Sequence, residues 1–128
     1  WGERCMMWFN GDTGTNYSVQ EFYGDGSSVT ATSGNYAFVR MGLVAGSATD
    51  SGMFGCLVAH FFDINSGKYK SGISQYATDA DGSGNVGVNA HVWKNQAAIS
   101  EIDIKLAWGD MKAGTRLDLF GVLPRMVA

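Results

Sequence analysis

His60 and His91 are the only imidazoles in the chain, and each lies in a stretch where apolar residues alternate. A nucleophilic site would need a serine or cysteine beside a histidine that a carboxylate orients. Serines are plentiful, but no Gly-x-Ser-x-Gly elbow is present. Glycoside hydrolysis would need two carboxylates facing each other at about 5–9.5 Å. The acidic residues are 3 Glu and 9 Asp, and many of the Asp fall in turn clusters, where their side chains serve the backbone. Gly82-x-Gly84-x-x-Gly87 matches a dinucleotide fingerprint in letters but lacks the helix that should follow. No enzyme and no cofactor is expected.

Two constellations suit binding better. Asn89, His91 and Trp93 alternate onto one strand face and are candidates to touch a sugar or a partner protein. A loop-covered or interface patch is the plainer reading of that trio. Asp79, Asp81 and Ser83 stand two apart with Gly84 after them, like the first half of a calcium loop. The twelfth position is Ala90, where a bidentate Glu is required, so a tight hairpin connection explains the same letters and no metal is expected.

The elements that position these residues read as strands. Runs of eight to ten residues alternate with clusters of Gly, Asn, Asp and Ser, the spacing of an antiparallel sandwich or barrel. The expected strands are Arg4–Phe9, Asn16–Tyr23, Ser28–Thr32, Tyr36–Val44, Met53–Ile64, Lys68–Ala77, Val86–Trp93, Ala98–Trp108 and Arg116–Leu123. No stretch holds a 3.6-residue apolar period. In the eighth run Ile102, Ile104, Leu106 and Trp108 form the dry side. The segment Met53–Ile64 and the last run are apolar on both sides, so each needs a second cover. A neighbouring subunit is the expected one, with Phe61, Phe120 and Leu57 at the contact. Lys68 and Lys70 read as a solvated edge, and Cys5 and Cys56 as two buried thiols whose pairing stays open.

Composition bounds the class. The chain has 128 residues, 45% hydrophobic and 16% charged, which is too apolar for a disordered chain and too weakly charged for a coiled coil. A single proline among 18 glycines rules out collagen. A net charge of -3 with scattered cations argues against nucleic acid. No apolar run is long enough for a membrane helix, so no membrane insertion is expected. Residues 1–128 read as one domain. Trp1 in place of an initiator Met is the pattern of a processed or truncated product.

Residues 92–123 read VWKNQAAISEIDIKLAWGDMKAGTRLDLFGVL. A Trp, a polar stretch, an Ile-x-Ile strand, a Gly-containing turn and Gly114-Thr115-Arg116-Leu117-Asp118-Leu119-Phe120-Gly121 resemble the closing hairpin of C-terminal domains in bacteriophage tail fibres, tail spikes and other virion appendages. Those usually carry Tyr where Phe120 stands. The resemblance implies an all-β, antiparallel jelly-roll-like β-sandwich of about 8–9 strands, assembled as a homotrimer on the outside of a virion, with no catalytic site. It also implies a tight turn at Gly114, Leu117 and Leu119 facing the core, and close strand approach at Gly121. The expected function is a virion structural protein acting by assembly. Its expected partners are its own copies and other virion proteins, with a host-surface glycan as candidate ligand. The alternatives are a head decoration protein and a monomeric carbohydrate-binding module built on Trp93 with one of Tyr23, Tyr69 or Tyr76.

Overall fold

The computed structural model describes residues 2–79 and 81–123. These form eight strands and no helix: β1 (Gly2–Phe9), β2 (Tyr17–Gly24), β3 (Val29–Tyr36), β4 (Val39–Ala45), β5 (Gly55–Phe61), β6 (Lys70–Asp79), β7 (Gly84–Trp93) and β8 (Ile102–Leu106). They make two sheets, one ordered β4-β1-β8 and the other β3-β2-β7-β6-β5, and every pairing is antiparallel. The fold is a β-sandwich.

Turn chemistry sets the hairpins. After β1, Asn10 and Gly11 both adopt positive φ, at 53° and 65°. The β2–β3 turn closes on the Asp25 carboxylate, which accepts the Ser27 and Ser28 amides at 2.9 and 2.8 Å. Between β6 and β7, Asp81 and Gly82 turn the chain with φ of 54° and 85°.

The inward side chains of β1 (Cys5, Met7, Phe9) meet Tyr17, Val39, Met41 and Trp93 in the core. Phe9 is the hub, edge-on to Phe61 with centroids 5.0 Å apart and 5.3 Å from the Trp93 ring. Strand β4 is an edge of its sheet, so some of its carbonyls have no strand partner. The five-stranded sheet supplies partners from its inner face. Ser74 Oγ donates to Met41 O at 2.7 Å, Asn89 Nδ2 to Arg40 O at 2.6 Å, and Thr78 Oγ1 to Leu43 O at 3.2 Å. Buried polar groups at these positions thus fix how one sheet sits on the other.

Several expected strands change. Residues 98–101 are loop, because Asn10 claims them: its Nδ2 donates to Ala98 O, and its Oδ1 accepts the Ser100 and Glu101 amides at 2.9 and 3.1 Å. Met53–Ile64 shortens to β5, which a turn at Asp63 (φ 54°) ends. Arg116–Leu123 is not a strand. Leu117 and Leu119, expected in the core, are 71% and 83% exposed, and Gly121 has open space around it. The turn before it does form, with Gly114 at φ 91°. Lys70 is not a solvated edge. It is 1% exposed, and its ammonium donates to the carbonyls of Ser66 and Lys68 at 2.6 and 2.5 Å. Cys5 is buried, which raises its thiol to about 11, whereas Cys56 is exposed, and the two are unpaired. Trp1, read above as the mark of a processed or truncated product, lies outside the described residues.

Candidate functional site

Asn89, His91 and Trp93 lie together on one face of β7, as the alternation requires, but it is the inner face. Their exposures are 0%, 4% and 1%, which removes them from contact with a sugar. Trp93 stacks on Tyr17 at an interplanar angle of 12° and donates its indole N–H to Asp12 Oδ2 at 2.8 Å. Burial pushes the Asp12 carboxyl up, but hydrogen bonds from Trp93, Asn16, the Gly14 amide and Asn95 outweigh it and hold the group below the usual range. The loop Asn10–Gly14 is therefore fastened to the core. Of the other rings considered for an aromatic platform, Tyr76 is buried and only Tyr69 is largely exposed, so no platform assembles around Trp93.

His91 Nε2 lies 2.8 Å from Ser74 Oγ, the separation of a nucleophile and its base. The rest of the geometry is structural. Ser74 is 0% exposed, and its single hydroxyl proton goes to Met41 O. Its oxygen must then accept from His91, which places the imidazole proton on Nε2. His91 Nδ1 is buried with no partner among the described residues, so no carboxylate orients the ring. Burial lowers His91 to about 4, keeping it neutral. His60 faces outward on β5.

The hairpin carrying Asp79, Asp81 and Ser83 is a turn. Asp79 Oδ1 accepts the Gly82 amide at 3.2 Å, and Asp79 pairs with Gly84 across the ladder. Among the described residues no three of His, Cys, Asp and Glu stand together as a metal site would need.

Two surface features remain. The first is a cleft of about 540 Å³ beside the edge of β4, against the inner face of the larger sheet. Glu21 and Arg40 form an ion pair on its wall at 3.0 Å, Glu21 being 5% exposed. Tyr76 OH donates to Glu21 Oε1 at 3.4 Å, and burial, then the Glu21 charge, raises that phenol. Arg4 Nε and Asn85 Oδ1 are buried without a partner among the described residues, and both residues line the cleft. Trp108, expected on the buried side of β8, lies past the strand's end and is 67% exposed at the cleft. Nothing in local sequence pattern marks this group, because β1, β2, β4, β6 and β7 bring it together from distant positions.

The second feature is the outer face of the five-stranded sheet. Its rows run Val29–Gly24–Val86–Ala77–Cys56, then Ala31–Phe22–Val88–Gln75–Val58, then Ser33–Gln20–Ala90–Ile73–His60. None of these side chains is an acid, a Lys or an Arg. Phe22, Val58 and Val86 are 54%, 55% and 63% exposed. The expected contact residues divide here. Leu57 and Phe61 point inward and pack, partly buried, on their own chain's core, whereas Phe120 is 82% exposed.

Compared with protein-family models, with curated proteins and with solved structures, the chain matches none.

Proposed function

We propose that this chain is a structural protein of a virion surface, a β-sandwich protomer of a tail fibre, spike or similar appendage that works by self-assembly. The observation that carries the assembly is the outer sheet face, three rows without an acid, Lys or Arg and with Phe22, Val58 and Val86 open to solvent. Clustered exposed apolar side chains on a face without formal charge mark interfaces. The attribution to a virion rests on the resemblance of residues 92–123, with Phe120 in the usual Tyr position. The cleft beside Trp108, with the unpartnered Arg4 Nε and Asn85 Oδ1, is where a host-surface glycan would be held, since sugars take stacking rings and converging polar groups.

Sedimentation at micromolar concentration tests the assembly. The chain is expected to run as a discrete oligomer, and Phe22→Asp with Val86→Asp to shift it toward monomer while leaving the fold intact. A wild-type chain that stays monomeric overturns the reading.

A further inference from the structure

The last described stretch, Leu117–Leu123, stands away from the sandwich. Leu119, Phe120, Val122 and Leu123 are 83%, 82%, 86% and 93% exposed. Among the described residues no main-chain hydrogen bond reaches it. Among the described residues its one ion pair is local, Arg116 to Asp118 at 2.9 Å. If extended, the arm would put Leu117, Leu119, Gly121 and Leu123 on one side and Asp118, Phe120 and Val122 on the other. That is the pattern of a strand covered on both faces. Laying it flat on a sheet would leave its amides and carbonyls unpaired, so it calls for a sheet edge.

The two sheets have four edges; carbonyls of β4 are already taken by Ser74, Asn89 and Thr78, and the other three edges differ in side-chain character. Beside β8 the arm would meet Asp103 and Lys105. Beside β3 it would meet Thr30 and Thr32 on one side and Val29, Ala31 and Ser33 on the other. Beside β5 it would continue the half-buried inner row of Leu57, Ala59 and Phe61 and the outer row of Cys56, Val58 and His60, neither of which carries an acid, Lys or Arg. Only β5 offers a wholly apolar inner row, Leu57, Ala59 and Phe61, with an outer row whose one polar ring is His60. The arm's root lies at the start of β5, where Lys112 Nζ is 5.4 Å from the Phe54 ring and donates to Thr49 O at 2.7 Å. From that root the arm could lie along its own β5 only in parallel, whereas every pairing in this fold is antiparallel, the more stable arrangement. A second copy removes that restriction.

We propose that Leu117–Leu123 of one copy adds as a strand to the outer edge of β5 in a second copy. The inference rests on the assembly reading above and adds to the outer sheet face a segment and an edge that join the copies. Cys56, exposed on β5, is a native probe, and Cys5 is buried. Single cysteines are placed at Asp118, Leu119, Phe120 and Val122, and a mixture of isotopically light and heavy chains is oxidised. Alternate arm positions are expected to give disulfide-linked peptides joining Cys56 of one chain to the arm of another, lost in Cys56→Ser. Leu119→Asp with Phe120→Asp is expected to weaken association at least tenfold without lowering the melting temperature. Links confined to single chains, or no links from any position, overturn the inference. Sedimentation of the same samples separates the two readings: an oligomer without arm links refutes only the arm, and a monomer refutes both.

Discussion

At the scale of single residues, the inner face of the larger sheet is chemically specific. The Tyr76 ring lies where side chains on two glycines would go: a Cβ on Gly42 would fall 2.2 Å from its Cδ1, and one on Gly87 2.6 Å from its Cζ. Gly87→Ala is expected to cost about 1–3 kcal/mol, the usual penalty of overpacking, measurable by urea denaturation. His91 makes a pH-dependent contribution. The native pKa of about 4 lies below the ordinary 6.5, so below pH 6.5 the unfolded chain takes a proton that the native chain refuses. Its stabilising contribution is whole above pH 6.5 and is lost as pH falls toward 4, a change on the order of 3 kcal/mol. Stability curves of wild type and His91→Gln should converge across that window. Parallel curves would show that His91 does not titrate as its burial requires.

At the scale of elements, strands were legible in the sequence wherever side-chain alternation met a turn cluster. Strands β1, β2, β5, β6 and β7 fall within a few residues of their expected places. What local pattern could not show is competition for the backbone. Residues 98–101 have strand-like composition, yet the Asn10 side chain, at the end of the neighbouring β1 and remote in sequence, takes their hydrogen bonds. Asn10→Ala removes those bonds and puts a Cβ-bearing residue without a polar group at φ 53°. A loss of about 2–3 kcal/mol is expected, with faster amide exchange at Ser100 and Glu101. Lys70 misled for a related reason, since its amine serves carbonyls of a loop and not solvent. The face shared by Asn89, His91 and Trp93 was readable, but not which way it points. Polar letters suggested the outside, and the structure turns them inward: Asn89 satisfies a carbonyl of the β4 edge, His91 bonds Ser74 and Trp93 bonds Asp12. The cleft was not legible at all, since its walls come from five strands.

At the scale of the whole molecule, charge is distributed unevenly. Three rows of one sheet carry no acid, Lys or Arg, while Asp103 and Lys105 stand on β8 in the other sheet. Association through the apolar face should therefore be nearly indifferent to sodium chloride and should strengthen with sulfate, which favours apolar burial. Sedimentation across a salt series reads this directly. Dissociation by modest sodium chloride would mean that charged groups hold the copies together.

The place of β1 has a consequence for how the protein is made. This first strand is the middle of its sheet, and Phe9, the hub of the core, pairs with Ile102. Strand β1 leaves the ribosome long before β8, so half of its hydrogen bonds wait for a strand made much later. Its dry side, Cys5, Met7 and Phe9, is incompletely covered until Trp93 has been made. Closure must therefore follow synthesis of β8, and a nascent chain stalled before residue 102 should be protease-sensitive throughout β1.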